Sequence, residues 1–256
     1  MSILFEGNTL HVMAVVHARG GSKRIPGKNI LPLCGKPLMG YCLEAAGKSK
    51  YIDVLIVSSD SEDIKRVARE FGAETPFTRP ADISEDVASE LVTLHALDFM
   101  EQRDGRVYDI VVTMQPTTPF LRTEDIDASI EKLLATPHAE TVMTATKMSQ
   151  LPTWARRIRE DGISYNIMGR VSKGDHGISQ THPDFFIANG GAYATRRSLL
   201  KEQEMIIGPN TALHIMPQEL SIDIDEPLEF FFAEKLQELM LSGTTVRDHV
   251  MGKAAK

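Results

Sequence analysis

The sequence predicts an α/β fold: a Rossmann-like, mostly parallel sheet with helices on both faces and one inserted arm. Three observations predict it. Strand-like and helix-like segments alternate through most of the 256 residues. The strand-like runs are short and almost continuously apolar, as expected of strands that are buried on both faces. The alternation stops once, at about residues 150–188, and then resumes.

The first two strand–helix units occupy the first quarter of the chain. An apolar run at residues 12–16 predicts a buried strand, and apolar residues spaced as on one helical face follow it up to the stop at Gly47. A second buried strand at residues 54–57 precedes the helical stripe 64–71, which Gly72 ends.

The next units repeat this order. A long helix is predicted at residues 87–102 and a buried strand at residues 109–114. The helix at 126–134 ends before Pro137, and the strand at 142–145 follows it. Because ligands of such sheets bind at the carboxyl ends of the strands, the loops at those ends are the first place to look for a site.

Three short strands and a helix complete the predicted fold after the arm. The strands are expected at residues 191–194, 213–216 and 221–225. The last helix has Pro227 in its first turn, and its predicted core face consists of Leu228, Phe232, Leu236 and Leu239. We therefore expect a single domain over residues 1–256, into which the arm at about 150–188 is inserted.

The composition excludes several classes of function. A net charge of −7 argues against binding to nucleic-acid polymers, which requires a basic face. The two cysteines form no CxxC motif and no disulfide framework. The N-terminus lacks the pattern of a signal peptide, and no apolar run approaches the roughly 18 residues of a membrane span. We expect a cytoplasmic protein that has no membrane partner.

The most informative segment is the cationic loop, residues 18–29, directly after the first strand. Its glycines let the backbone approach an anion, and Arg19, Lys23 and Lys28 would neutralise the charge of that anion. The loop fits neither the G-x-x-x-x-G-K-[ST] nor the G-x-G-x-x-G pattern. Its charge still favours a triphosphate. The alternative is a basic surface loop.

The acidic segment, residues 221–225, has the sequence S-I-D-I-D. Alternation along a strand would place Asp223 and Asp225 on one face, where two carboxylates repel each other unless a cation intervenes. A hard divalent ion such as Mg²⁺ suits them, especially beside substrate phosphates. The alternative is that Asp225 merely caps the following helix.

Three further elements have both a functional and a structural interpretation. The rigid polar loop from Gln115 to Arg122 either holds a ligand or leads into a helix. Asn189, which precedes two glycines, either contacts a ligand or forms a hairpin turn. Arg79 either contacts the ligand or is a surface charge.

Together these motifs resemble the cytidylyltransferases that activate acidic sugars: the CMP-sialic acid synthetases and their relatives for other nonulosonic acids and for Kdo. The leading motif of that family is similar to A-R-G-G-S-K-x-[IL]-P-x-K-N, and Ala18 to Asn29 satisfies it. Elements like those at Ser58, Arg79, Gln115, Asn189 and Ser221 follow in family order.

The resemblance implies transfer of CMP from CTP to an acidic sugar, with release of pyrophosphate. It implies that the nucleotide is bound by Ala18, Arg19, Gly20, Gly21, Ser22, Lys23, Asn29 and Arg79. It implies that the catalytic groups are Arg19, Lys23, Lys28, Asp223 and Asp225, with Mg²⁺ held by the two aspartates. The acceptor would lie near Gln115, Thr117, Gln180 and Asn189, and the arm would pair two copies as a homodimer.

One departure from the family pattern leaves the acceptor open. Sialic-acid-using relatives carry an arginine about ten residues before the Asn-Gly element, but no arginine lies between Val171 and Gly191 here. His17 also stands where the family usually has proline, and we interpret it as a strand-end residue. The alternatives are a sugar phosphate or phosphonate acceptor, a different nucleoside triphosphate, or a regulatory nucleotide-binding module without catalysis.

Overall fold

A computed structural model of the chain describes residues 3–5, 7–85, 87–168 and 184–254. The helices are α1 Leu38–Gly47, α2 Glu62–Glu70, α3 Ser89–Asp104, α4 Thr123–Ala135, α5 Arg197–Gln203, α6 Pro227–Leu241 and α7 Val246–Ala254. The strands are β1 Ile3–Phe5, β2 Asn8–Leu10, β3 Val12–His17, β4 Pro32–Leu33, β5 Lys36–Pro37, β6 Val54–Ser58, β7 Ile110–Met114, β8 Thr141–Lys147, β9 Arg156–Ile158, β10 Ser164–Asn166, β11 Phe186–Arg196 and β12 Thr211–Ile215.

The central sheet has six strands in the order β12-β8-β11-β7-β3-β6. Strand β3 is parallel to both β6 and β7, and β8 is parallel to β12. Strand β11 is antiparallel to both of its neighbours, β7 and β8. The mostly parallel α/β sheet predicted from the sequence is therefore confirmed, with one antiparallel strand inserted at its centre.

Alternation along β3 assigns its side chains to two separate cores. Val12, Ala14 and Val16 pack in one apolar cluster with residues of α1, α2 and α4. Met13 and Val15 pack in a second cluster with residues of α3. Helices therefore cover both faces of the sheet, as the sequence predicts.

The register of the sheet brings the carboxyl ends of three strands together. His17 at the end of β3 pairs with Ser58 at the end of β6, and Val16 pairs with Met114 at the end of β7. The loops that follow these strands must therefore lie side by side, and two of them are the cationic loop and the loop that begins at Gln115.

Two predictions about the end of the chain are wrong. Residues 221–225 form no strand, because the segment lies outside the sheet and is held instead by a bond from Ile224 N to Thr117 O of 2.9 Å. In α6 the buried residues are Ala233 and Leu236, whereas Leu228 and Phe232 are 60% and 52% exposed. Helix α6 faces a small cluster around Leu33, Leu38, Phe120 and Ile224, and this selects a different face.

The inserted arm is only partly described. Strands β9 and β10 form a short antiparallel hairpin after the 3₁₀ turn Pro152–Trp154. Strand β11 begins at Phe186, inside the segment assigned to the arm, and runs further than the predicted 191–194. The single-domain boundary and the pairing role of the arm stay predictions. In the described part of the chain, no helix is both long and apolar enough to cross a bilayer.

Candidate active site

A cleft of about 470 Å³ opens at the carboxyl ends of β3, β6 and β7. Side chains from the predicted nucleotide-binding set line it: Arg19, Ser22, Lys23, Asn29 and Arg79. Lys28, Gln115, Thr117 and Asp225 line it as well. The cleft thus brings together residues more than 200 positions apart in the chain.

Local contacts explain the path of the cationic loop. Ala18 N donates to Ser58 O at 3.1 Å, and Gly20 N donates to Asp60 Oδ1 at 2.8 Å. A Cβ on Gly20 would lie 3.1 Å from the Ser61 Cβ, so the loop fits tightly against the start of α2. Gly21 has open space around it. The backbone of the loop, not only its cations, is therefore positioned by the neighbouring strand end.

Asn29 and Gly27 fix the far end of this loop. Asn29 Nδ2 donates to Arg19 O at 2.9 Å, which ties the two ends of the loop together. Gly27 has a φ of 66°, a left-handed conformation that favours glycine, and it starts the 3₁₀ turn Lys28–Ile30. A buried asparagine in this position explains why the loop ends where it does.

Lys28 joins the cationic loop to the acidic segment. Its Nζ donates to Ile224 O at 2.6 Å and lies 3.1 Å from Asp225 Oδ1. Arg24 Nη1 lies 3.1 Å from the neighbouring Glu226 Oε1. The predicted convergence of a cationic turn and a distant acidic segment is therefore present in the fold. The binding of phosphates by this loop stays a prediction.

Asp223 is the unusual group of the acidic segment. Its Oδ1 is buried and has no hydrogen-bond partner among the described residues. Burial raises the pKa of the Asp223 carboxyl, and the nearby Asp225 carboxylate adds to this shift. The Thr117 hydroxyl opposes the shift, but its contact with the carboxylate falls short of hydrogen-bond geometry. A buried carboxylate oxygen without a partner is costly and is an available ligand for a cation.

Asp225 is not the cap of the last helix. The N-cap of α6 is Glu226, which shares a capping box with Glu229, and Glu226 N donates to Glu229 Oε2 at 2.6 Å. The capping interpretation of Asp225 is therefore wrong. Its half-exposed carboxylate instead faces Lys28 and the cleft.

Asn189 and Gly190 support Asp223 from the opposite side. Gly190 has a φ of 73°, and a Cβ there would lie 2.7 Å from Asp223 Oδ2. Asn189 Nδ2 donates to Ser221 Oγ at 2.9 Å, and its Oδ1 accepts from Thr144 Oγ1 at 2.7 Å. The Asn-Gly pair lies within β11, where the register with β8 shifts, so the hairpin-turn alternative is wrong.

Only some of the predicted acceptor residues line the cleft. Gln115 and Thr117 line the cleft, whereas Asn189 is buried and its amide is engaged by neighbouring side chains. Gln180 lies outside the described residues. Arg122, at the other end of the same loop, caps α4 together with Asp125. The helix-entry interpretation is thus confirmed for the Arg122 end of that loop, and a ligand-holding role for its Gln115 end stays a prediction.

Arg79 is buried, so the surface-charge alternative is wrong. It is only 5% exposed, and its guanidinium bonds the hydroxyl and the carbonyl of Ser58. Burial lowers the pKa of Arg79. The nearby Asp60 carboxylate opposes this shift without reversing it. A buried cation of this kind is stabilised when an anionic or electron-rich ligand enters the cleft.

The polar residues on the α3 side of the cleft are not among the predicted site residues. His17 lines the cleft, and its Nε2 lies 3.1 Å from Thr93 Oγ1. Their positions at the ends of the buried strands are the sequence signal that could have identified them. Strands β3 and β6 end on polar residues, His17 and Ser58, and Thr113 is the next-to-last residue of β7.

The two aspartates fit a divalent metal. Asp223 offers a buried oxygen without a partner, and Asp225 offers a second carboxylate nearby. Among the residues that the structure describes, no group of three or more histidine, cysteine, aspartate or glutamate side chains gathers as a metal cage. Mg²⁺ is usually bound through one or two carboxylates together with substrate phosphates, so a carboxylate pair beside a cationic loop suits it.

Comparisons with known proteins agree with this geometry. A family model described as cytidylyltransferase matches residues 13–157. The CMP-N,N'-diacetyllegionaminic acid synthase of Legionella pneumophila is 33% identical over 231 residues, which cover 90% of this chain and 97% of that protein. The pseudaminic acid cytidylyltransferase of Campylobacter jejuni is 29% identical over 228 residues, which cover 89% and 96% of the two chains.

A solved structure shares the fold. The CMP:2-keto-3-deoxy-manno-octonic acid synthetase, solved in complex with CTP, superimposes with a TM-score of 0.62 and 18% identity. The alignment covers 90% of this chain and 100% of that one. Sequence, fold and the matched segment that carries the cationic loop therefore lead to one conclusion: the chain is an enzyme of the cytidylyltransferase family.

Proposed function

We propose that this enzyme transfers CMP from CTP to a nonulosonic acid, an acidic sugar of the legionaminic, pseudaminic or sialic acid class, and releases pyrophosphate. One observation carries the proposal: Lys28 Nζ connects the cationic loop to Asp225 at 3.1 Å, so a triphosphate and a metal-binding carboxylate pair would share one cleft. The named relatives support the class of acceptor, since they act on acidic sugars of this kind.

The nucleotide phosphates would bind along the cationic loop. Arg19 and Lys23 line the cleft with their cationic side chains, and the backbone of Gly20 and Gly21 lies beside them. Such phosphoryl chemistry depends mainly on positioning and charge neutralisation. Lys28 would bind both a phosphate oxygen and Asp225, which orients the two halves of the site.

Asp223 and Asp225 would hold the metal. When bound there, Mg²⁺ supplies charge neutralisation and polarises the transferred phosphoryl group. The role of Asp223 is to offer its buried oxygen in a fixed place, since Gly190 and Thr117 enclose the carboxylate. The role of Asp225 is to stay accessible at the cleft while Lys28 balances its charge.

The acceptor would enter beside Gln115 and Thr117. Both line the cleft next to Asp225, and a glutamine amide can both donate and accept hydrogen bonds with sugar hydroxyls. We keep Gln180 as an acceptor candidate. Asn189 is better placed to support Asp223 than to touch the sugar. The identity of the sugar therefore depends on residues beyond those that line the described cleft.

We also propose that the enzyme acts as a cytoplasmic homodimer. The arm hairpin exposes a row of apolar side chains, among them Ile158 and Ile163, with exposed fractions of 73% and 57%. Exposed apolar surface of this extent favours contact with another protein surface.

A pyrophosphate-release screen tests the proposed function. Four nucleoside triphosphates are combined with N-acetylneuraminic, legionaminic and pseudaminic acids, Kdo, a sugar phosphate and a phosphonate, each with Mg²⁺ or with EDTA. We expect release with CTP and one of the nonulosonic acids only, and none in EDTA. Release confined to a sugar phosphate, to a phosphonate or to another nucleotide would replace this proposal with the corresponding alternative.

A further inference from the structure

The α3 side of the sheet becomes polar where it reaches the cleft. Met13 and Val15 pack against α3 in an apolar cluster, and the next residue on that face of β3 is His17. Strand β7 behaves in the same way, with Val111 in the apolar cluster and Thr113 beyond it. On β7 the change comes earlier, since Thr113 pairs with Val15, and polar side chains of both strands therefore form a floor of the cleft at the end of this face.

A chain of hydrogen bonds fixes the imidazole of His17 in this floor. Thr93 Oγ1, on α3, lies 3.1 Å from His17 Nε2 and 3.2 Å from Thr113 Oγ1. Both threonine hydroxyls are buried, and Thr113 has no other side-chain hydrogen bond among the described residues.

These contacts select one tautomer of His17. If Thr113 donates to Thr93 and Thr93 donates to Nε2, both hydroxyl hydrogens are used. The reverse direction would leave the Thr113 hydroxyl hydrogen buried without an acceptor, which is unfavourable. Nε2 is therefore the acceptor, and the proton of the neutral ring is on Nδ1.

His17 stays neutral at working pH. Burial, and secondarily the Arg79 cation, lowers the pKa of His17 to about 3. The ring is half-buried and lines the cleft. Its Nδ1 has no partner among the described residues, and it is not one of the buried polar atoms that lack a partner. The Nδ1–H donor is thus open to the cleft.

We propose that His17 is a specificity-determining residue whose Nδ1–H donates a hydrogen bond to an acceptor atom on the nucleoside half of CTP. This inference rests on the proposed function. Lys28, at the phosphate end, contacts Ile224 and Asp225, whereas His17 lies beside Thr93 of α3. A neutral donor beside α3 is suited to a base carbonyl, a base ring nitrogen or a ribose hydroxyl rather than to a triphosphate.

Two matched substitutions test the proposal. In His17→Gln the amide reaches the position of Nε2, so the contact with Thr93 is retained and the Nδ1 donor is lost. In His17→Asn the amide lies near the position of Nδ1, so a donor remains. We expect the Kd for CTP, measured by calorimetry, to rise about tenfold in His17→Gln and at most about threefold in His17→Asn. Melting temperatures check that both variants fold.

Further ligands separate the possible acceptor atoms. Equal losses for CTP and 2′-deoxy-CTP in His17→Gln would assign the contact to the base, and a loss for CTP alone would assign it to the ribose 2′-hydroxyl. Inorganic tripolyphosphate should bind both variants as it binds the wild type. A loss of tripolyphosphate binding equal to that of CTP, or CTP binding by His17→Gln at wild-type strength, would overturn the proposal.

A spectroscopic measurement tests the tautomer independently of affinity. The ¹⁵N chemical shifts of His17 in the wild-type CTP complex should show a protonated Nδ1 and an unprotonated Nε2. The opposite tautomer would contradict the proposal even if affinity changed. If the wild-type enzyme does not bind CTP at all, the proposed function has failed, which is a distinct result from loss of this one contact.

Discussion

The two ends of the cleft are built in different ways. At the nucleotide end, hydrogen bonds already hold the backbone of the loop: Asn29 bonds the Arg19 carbonyl, and Gly20 N bonds Asp60 at the next strand end. At the acidic end, Gly190 and Thr117 enclose the Asp223 carboxylate, and its Oδ1 has no hydrogen-bond partner among the described residues.

The two ends therefore differ in their state before a ligand binds. The backbone of the nucleotide end is held without ligand, because hydrogen bonds with Ser58, Asp60 and Asn29 already fix the cationic loop. At the acidic end, the ionised Asp223 carboxylate lowers the free energy of unfolding, because a buried carboxylate is unfavourable until a cation neutralises it. We infer that the first end is preorganised for binding, whereas the second retains a cost that a bound metal removes.

Asp223→Asn should have the largest effect: it should lower the activity and raise the stability of the folded enzyme. We expect kcat to fall by about 10² to 10³-fold, because a ligand of the proposed metal is lost. The raised pKa of Asp223 means that its ionised form destabilises the folded state at neutral pH. The amide should therefore raise the melting temperature in EDTA by about 2 to 4 °C.

Asp225→Asn is the matched control for this trade-off. Asp225 is half-exposed and paired with Lys28, so the same substitution should reduce activity without raising the melting temperature. Steady-state pyrophosphate release and thermal unfolding in EDTA measure the two quantities. Wild-type activity in Asp223→Asn, or equal thermal gains in both variants, would remove the proposed distinction between the two carboxylates.

Gly190→Ala should disturb the acidic end while the nucleotide end stays intact. The new Cβ would lie 2.7 Å from Asp223 Oδ2, and the φ of 73° is strained for alanine. We expect a loss of about 1 to 3 kcal/mol of folding free energy and a clear fall in kcat, with CTP affinity nearly unchanged. Urea unfolding and calorimetric titration with CTP measure these effects.

Gly47→Ala provides the control for the glycine substitution. Gly47 lies in the last turn of α1, and a Cβ there would meet nothing within 4 Å. Its stability should be unchanged or slightly higher, since alanine is the better helix former. A similar destabilisation in both variants would indicate that the contact with Asp223 is not responsible.

The sequence was sufficient for the nucleotide end because its determinants are local. A buried strand at 12–16 followed by a glycine-rich cationic turn fixes both the place and the chemistry of the loop. The structure confirms the strand as Val12–His17 and places Arg19, Lys23 and Lys28 at the cleft. The helices on both faces follow from the same short-range periodicity.

The acidic end was harder to predict because its geometry depends on partners that the local pattern does not specify. The alternation of Ile and Asp at 221–225 is typical of a strand, but the segment pairs with no strand in the part of the chain that the structure describes. A backbone bond to Thr117 holds it instead. The apolar face of α6 was misassigned for a similar reason, since Phe120 and Ile224 select it. The position of β11 between β7 and β8 also depends on contacts between residues that are distant in the sequence.

The smallest expected effect lies outside the cleft, at the start of α4, and tests whether buried carboxylates in this fold are costly in general. Burial alone would raise the pKa of Asp125, but hydrogen bonds from His214 and Arg122 lower it to about 2. Unlike Asp223, this carboxylate therefore stabilises the fold when ionised. Its contribution is present above the ordinary pKa of aspartate and is lost as the pH falls toward about 2.

Asp125→Asn should accordingly cost about 2 kcal/mol at pH 6, and its disadvantage should shrink as the pH falls below about 4. Urea unfolding of wild type and variant between pH 3 and pH 6 measures the difference. Glu124→Gln removes a charge from the same helical turn without touching these bonds, so it controls for the helix dipole. A constant difference across this range would show that the two ion-pair partners do not set the stability of Asp125, and the contrast with Asp223 would then rest on burial alone.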